Sequence, residues 1–205
     1  MKPEQKTIAL IFALLGWFAI IAQFVLMLQN SVTFLSETII RFFSFFTILT
    51  NIMTAVFFTS QAVGKRKYRA GVLTAVTVYI TIVGLVYQVL LRHLWAPVGL
   101  QKVVDELLHS VIPVLTIVYW YRYEDHRNVL YRQITGWLFY PLAYLSYILV
   151  RGYFSGFYPY PFVDVVQLGL RQVLINAFFL FILFGIIAFL FVFVGKYIAP
   201  VSHAS

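Results

Sequence analysis

Long apolar stretches alternate with short polar loops along the whole chain of 205 residues. A helix that crosses the hydrocarbon core of a bilayer needs about 20 predominantly apolar residues. The stretches that approach this length cover residues 7–28, 38–60, 70–92, 103–121, 136–152 and 172–195. We expect each to form one spanning helix, because the remaining loops are short. The pattern therefore predicts an all-α, single-domain bundle of six transmembrane helices that comprises residues 1–205.

The composition agrees with a membrane location. The chain is 62% hydrophobic and 11% charged, with a mean hydropathy of +0.89, whereas soluble domains are about half apolar and a quarter charged. The net charge of +8 could suggest a nucleic-acid partner, but the Lys and Arg residues lie in short loops and form no basic arm. We therefore expect a membrane protein without a nucleic-acid partner. The chain has no cysteine, which excludes disulfides and thiolate chemistry.

The distribution of basic residues predicts the orientation of the bundle. The ends and loops on the side of the N-terminus hold ten Lys and Arg residues, and the loops on the opposite side hold four. Cytoplasmic loops carry the excess of Lys and Arg in multi-pass proteins. The sequence therefore predicts that both termini are cytoplasmic.

One polar stripe follows the second predicted helix. It consists of Arg41, Ser44, Thr47, Asn51 and Thr54, which recur at steps of three or four residues and so share one helix face. Ser, Thr and Asn commonly do no more than join neighbouring helices. Arg41 and Asn51 are more costly to expose to lipid, and this favours a functional role for the stripe. Most of it lies in the outer half of the predicted bundle, where we expect a cavity open toward the outer leaflet.

The fourth predicted helix carries a histidine with two carboxylates nearby. Asp105 and Glu106 precede His109 by four and three residues, so either can reach the same helix face. A carboxylate that fixes the tautomer of a histidine makes it a base for a hydroxyl nucleophile. Thr47 has the same predicted depth, and we interpret Thr47 and His109 as a catalytic pair. The alternatives for His109 are a packing residue and a proton relay.

The polar residues near the outer ends of the other helices are candidates for supporting roles. The segment Tyr158-Pro159-Tyr160-Pro161-Phe162 is predicted to be extended or re-entrant, because proline at alternate positions cannot continue a helix. Its tyrosines would equally suit an aromatic belt, and Arg151, Asp164 and Arg171 could instead form an ion pair that holds this loop. The candidates for supporting the base or an oxyanion are Asn51, Asp105, Glu106, Arg151 and Tyr158. The candidates for binding substrate are Arg41, Gln88, Tyr144, Tyr147, Asp164 and Asn176.

Three runs of the chain resemble bacterial relatives of the androgen-induced and androgen-dependent TFPI-regulating membrane proteins. They are Phe45-Phe46-Thr47-Ile48-Leu49-Thr50-Asn51, Asp105-Glu106-Leu107-Leu108-His109 with Pro113, and Tyr158-Pro159-Tyr160-Pro161-Phe162. This resemblance implies a multi-pass threonine hydrolase of a bacterial cytoplasmic membrane, with Thr47 as the nucleophile and His109 as the base. Animal members of the family cleave fatty acid esters of hydroxy fatty acids. The resemblance thus implies a lipid or acyl-chain substrate, and we expect no metal and no organic cofactor.

Two other classes of function remain open at this point. One is a small proton-linked transporter in which His109 and Glu106 relay protons. Transporters often contain internal repeats and broken helices, whereas this sequence has no evident repeat and one proline-broken segment. The other is a non-catalytic membrane scaffold whose polar stripe only packs helices.

The predicted function is an intramembrane hydrolase of lipidic esters.

Overall fold

The computed structural model describes residues 3–64 and 68–199. Within these residues every regular element is a helix, which confirms the prediction of an all-α chain. The α-helices are α1 (Pro3–Gln29), α2 (Leu35–Phe42), α3 (Phe46–Val63), α4 (Val72–Val86), α5 (Gly99–Glu106), α6 (Ile112–Tyr123), α7 (Gln133–Trp137), α8 (Phe139–Ser155) and α9 (Val165–Ile198).

Several of these helices are long and apolar enough to cross a membrane. Within the described residues they form five stretches, namely Pro3–Gln29, Phe46–Val63, Val72–Leu94, Gly99–Tyr123 and Val165–Ile198. They fit a multi-pass integral membrane protein. The predicted span 136–152 corresponds to α8, which has 17 residues and a length of about 25 Å. The sixth crossing and the cytoplasmic termini stay predictions, and the basic residues at positions 2 and 65–67 lie outside the described residues.

The predicted helix over residues 38–60 is wrong in one respect, because a turn interrupts it. Helix α2 ends at Phe42 and α3 begins at Phe46. The three residues between them include neither proline nor glycine, so the chain itself supplies no helix breaker. The turn has local hydrogen bonds, among them Ser44 Oγ to the carbonyl oxygen of Ile40 at 2.7 Å, and one from a distant helix, since the Tyr144 hydroxyl donates to the carbonyl oxygen of Ser44 at 2.8 Å. As a result α3 begins inside the bundle, with Thr47 as its second residue.

Helix α4 lies centrally and packs against α3, α6 and α9. Its face toward α6 carries Gly84, where an added Cβ would lie 3.1 Å from the carbonyl oxygen of His109. The absence of a side chain at Gly84 therefore lets α4 approach the segment that carries His109.

That segment is a π-helical turn, Leu107–Val111, between α5 and α6. In it the N–H of Ile112 donates to the carbonyl oxygen of Leu107, five residues back. Pro113 has no N–H to offer to His109, so a regular α-helix could not continue through this point. A second π-helical turn, Tyr87–Leu91, follows α4 on the opposite side of the histidine. Single π turns within helices often occur at functional sites.

Candidate functional site

A cavity with a mixed lining, here termed the polar cavity, lies where α1 ends and α3 begins, at the end of the bundle opposite the start of α1, and apolar side chains form most of its surface. Its volume is about 680 Å³, and its walls include Arg41, Thr47, Asp105 and His109. The two proposed catalytic residues, which are separated by 62 positions in the sequence, therefore face the same space. Cavities of this size are typical of small-molecule and lipid sites.

The His109 ring is held on its edge and on its face. Its Nδ1 atom lies 2.9 Å from the carbonyl oxygen of Asp105 and 3.3 Å from the Asp105 carboxylate. Both oxygens can only accept, so Nδ1 carries a hydrogen and Nε2 carries the lone pair of the neutral imidazole. The Tyr87 ring stacks on the imidazole at 3.9 Å, and its hydroxyl donates to the second carboxylate oxygen of Asp105. Tyr87 and Asp105 thus fix the orientation and tautomer that a general base requires.

Glu106 belongs to a different network. It accepts a hydrogen bond from Ser110 at 2.6 Å and forms an ion pair with Arg92. Gln88 completes this network by donating to Ser110 and accepting from Arg92, both at 2.8 Å. Of the two carboxylates that the sequence made candidates, Asp105 is the one that contacts the imidazole of His109.

Thr47 contacts a tyrosine that the sequence analysis did not include among the site residues. Its backbone N–H donates to the Tyr160 hydroxyl at 3.2 Å, and its Oγ1 lies 3.3 Å from the same hydroxyl. Asn51 donates to the carbonyl oxygens of Thr47 and Leu108 at 2.9 and 3.4 Å, so it joins the start of α3 to the segment of His109. Across the described part of the chain no hydrogen bond links Thr47 directly with His109. The two residues line the same cavity.

An apolar cavity of about 250 Å³ lies on the other side of Thr47, between α4, α8 and α9. Thr47 and Tyr160 line both cavities, and Tyr144 lines the apolar one. Other lining residues are exposed on the outside of the bundle, namely Leu142, Leu174 and Phe178, at 49%, 49% and 60%. The apolar cavity therefore reaches the apolar outer surface between α8 and α9.

Arg151 does not lie beside Thr47. It belongs to a cluster of charged side chains with Glu37 and Arg41. It donates to Glu37 at 2.9 Å, and Arg41 donates to the same carboxylate oxygen at 2.7 Å. The hydrogen bond from Arg41 and the nearby Arg151 hold the pKa of Glu37 below its usual value. Both guanidinium groups lie over the Phe157 ring, at 4.5 and 4.9 Å from its centre. The alternative ion pair of Arg151 and Arg171 with Asp164 is not formed among the described residues, because Arg151 pairs with Glu37 and the Asp164 carboxylate accepts backbone hydrogen bonds at the start of α9.

Two of the remaining candidates, Asn176 and Tyr158, hold the loop between α8 and α9 in place. Asn176 donates to the carbonyl oxygen of Phe162 at 2.9 Å. The Tyr158 ring packs on Gly152 so closely that an added Cβ would lie 2.0 Å from it. Tyr147 lies 3.4 Å from the Ser44 hydroxyl, beside the turn between α2 and α3. The contacts of Asn176 and Tyr158 position the segment that carries Tyr160.

Sequence reasoning missed the roles of Tyr160 and Tyr87. Tyr160 stands in the Tyr-Pro-Tyr-Pro-Phe segment, and that unusual segment was the signal that could have identified it. Tyr87 stands 22 positions before His109 in another helix, so helical spacing contained no sign of their stacking.

Comparisons of the chain with models of known families, with curated protein sequences and with solved structures find no match. The family resemblance noted from the sequence therefore stays a prediction. The support for a function comes from the two cavities and from the side chains that meet at their boundary.

Proposed function

We propose that this protein is an intramembrane hydrolase of lipidic esters in which Thr47 is the nucleophile and His109 is the general base. The observation that carries the proposal is the position of Thr47 between the two cavities. An acyl chain in the apolar cavity would bring its ester carbonyl to Thr47, and the polar cavity beyond it contains His109. This arrangement supports the proposal, because one cavity could hold the chain while Thr47 and His109 both line the other.

The reaction has two halves. In the first, Thr47 Oγ1 attacks the carbonyl carbon, its proton moves to Nε2 of His109, and the carbonyl electron pair moves onto oxygen. Collapse of this intermediate breaks the ester bond, and the departing alcohol takes the proton from His109. In the second half, water gives a proton to His109 and attacks the acyl-threonine, and collapse of this second intermediate breaks the bond to Oγ1, which takes the proton back from His109. The products are a fatty acid and an alcohol, and Thr47 is regenerated.

The proposed substrates are fatty acid esters of hydroxy fatty acids or similar lipids. The opening of the apolar cavity between α8 and α9 would let such a lipid enter sideways from the bilayer. In this proposal the protein crosses a bacterial cytoplasmic membrane six times, with α8 as the sixth span and both termini in the cytoplasm. The reaction as written needs only water as a co-substrate.

Labelling with a lipophilic fluorophosphonate tests the proposal. We expect mass mapping of the purified protein to locate the adduct on Thr47, because the reagent captures an activated hydroxyl. Thr47→Val keeps the shape of the side chain but removes the hydroxyl, so it should abolish both labelling and hydrolysis of a long-chain ester.

Thr54→Val is the matched control. Thr54 is on the same helix, and its hydroxyl donates to the carbonyl oxygen of Thr50 at 2.8 Å. This variant should keep its activity, while both variants should keep a thermal stability in detergent close to that of the wild type, because one such hydrogen bond contributes about 1 kcal/mol or less. Hydrolysis by Thr47→Val at the wild-type rate would contradict the nucleophile assignment.

A further inference from the structure

We infer that Tyr160 is a third catalytic residue, whose hydroxyl donates a hydrogen bond to the carbonyl oxygen of the ester while Thr47 Oγ1 attacks. This inference rests on the proposed function. It replaces the oxyanion donors that the sequence suggested, which were Asn51, Arg151 and Tyr158.

The hydrogen bonds around Tyr160 prepare its hydroxyl to donate. The backbone N–H of Thr47 donates to the phenol oxygen at 3.2 Å. The first N–H groups of a helix have no acceptor within the helix, and Thr47 is the second residue of α3. A donor bound to the oxygen polarises the O–H group and strengthens the hydrogen bond that this group makes in turn. The N–H group at the start of α3 thus strengthens the hydrogen bond that the Tyr160 hydroxyl donates to the substrate.

The position of the hydroxyl also fits the developing negative charge. It lies 3.3 Å from Thr47 Oγ1. In the tetrahedral intermediate the former carbonyl oxygen and Oγ1 are bonded to the same carbon, so a donor that reaches one oxygen can reach the other. The hydroxyl also stands at the boundary of the two cavities, where the ester carbonyl must lie if the acyl chain fills the apolar cavity.

The ring of Tyr160 is held in place by its neighbours. It stacks on Phe162 with an angle of 4° between the ring planes and meets the edge of Phe45 at 5.8 Å. Pro159 and Pro161 restrict the backbone on both sides of it. Because the donor is positioned before the substrate arrives, little reorganisation is needed when charge develops on the oxygen.

The three donors that the sequence suggested are engaged elsewhere. The Tyr158 ring packs on Gly152, and Tyr158 lines neither of the two cavities. The Asn51 amide already donates to the backbone carbonyl oxygens of Thr47 and Leu108. The Arg151 guanidinium donates to Glu37 and to the Phe157 carbonyl oxygen, within the cluster of charges that includes Arg41.

Tyr160→Phe tests the inference, because it removes the hydroxyl and keeps the ring. We expect kcat for a long-chain ester to fall by about 10²–10³, the usual effect of losing one oxyanion donor, with KM nearly unchanged. Affinity for a long-chain trifluoromethyl ketone, which forms an oxyanion with Thr47, should fall by a similar factor. Affinity for the unreactive ether analogue of the substrate should stay the same, whereas damage to the cavity would weaken both ligands.

Tyr140→Phe is the control. The Tyr140 hydroxyl bonds to Thr50 at 3.1 Å, and Thr50 lies about one helical turn after Thr47. It should keep the wild-type kcat. Unchanged or increased hydrolysis in Tyr160→Phe would overturn the inference while leaving the hydrolase proposal intact. Absence of ester hydrolysis in the wild-type protein would instead overturn the proposed function itself.

Discussion

Replacing the carboxylate of Asp105 by an amide should slow hydrolysis by a limited and calculable factor. Asp105→Asn keeps the size of the side chain and removes the negative charge beside His109. The two side chains are 4% and 13% exposed, and the nearest nitrogen–oxygen distance is 3.3 Å. At an effective dielectric constant of about 20, a full pair of charges at this distance interacts with about 5 kcal/mol.

Only part of that energy should be lost in the variant. The imidazole carries a partial charge in the transition state, and the amide oxygen of asparagine still accepts a hydrogen bond. We therefore expect a loss of about 2 kcal/mol, which is roughly a 30-fold decrease in kcat. A wrong tautomer costs about 10⁴-fold in serine proteases. The smaller effect is expected here because Nδ1 also lies 2.9 Å from the backbone carbonyl oxygen of residue 105, an acceptor that the substitution keeps.

The assay is the turnover of a fluorogenic long-chain ester by purified protein in detergent. Glu106→Gln is the control, because this neighbouring carboxylate pairs with Arg92 and Ser110, and it should change kcat by less than about threefold. A wild-type rate in Asp105→Asn, or an equal loss in both variants, would refute the assignment of Asp105 as the residue that orients His109.

Three further predictions concern the apolar cavity, the charge cluster and the start of α3. Ala177→Phe fills part of the apolar cavity, so the ester chain length that gives the highest kcat/KM should shorten, whereas Ile186→Phe on the exposed face of α9 should leave this preference unchanged. The pKa of Glu37 is lowered in the folded protein, so its contribution to stability should be present above the unfolded pKa of about 4.3 and be lost as the pH falls below it. The melting temperature of Glu37→Gln should accordingly vary less than that of the wild type between about pH 6 and pH 3. Asn51→Leu removes two hydrogen bonds that the amide donates, and it also removes the amide oxygen, which is buried and has no hydrogen-bond partner. The variant should lower the free energy of unfolding in detergent by about 1 kcal/mol. An unchanged melting temperature would contradict this.

Some parts of the site followed from the sequence because they depend on local spacing. Asp105 and His109 are four residues apart on one helix, so their contact follows from helix geometry. The all-helical fold likewise follows from apolar stretches long enough to cross a bilayer. Even within this part, spacing could not decide between Asp105 and Glu106, because residues three and four positions before His109 are both its neighbours on a helix face.

The parts that could not be predicted depend on contacts between distant segments. The turn between α2 and α3 contains neither proline nor glycine, and one of the hydrogen bonds that stabilise it comes from Tyr144, 100 residues further along the chain. The contact of Thr47 with Tyr160 spans 113 residues, and that of Glu37 with Arg151 spans 114. Such pairs leave no periodic pattern in a single sequence, since each partner alone resembles an ordinary interfacial residue.

The length of α8 has a consequence for the kind of membrane in which the site would remain intact. If this helix of 17 residues crosses the bilayer, its span of about 25 Å is shorter than an average hydrocarbon core of about 30 Å. A bilayer adapts to a short helix by thinning around it, or the helix adapts by shifting and changing its tilt. Tyr144 lies on α8 and holds the turn that starts α3, so such a shift would be transmitted to Thr47. Hydrophobic mismatch would then couple the thickness of the surrounding lipid to the geometry of the nucleophile.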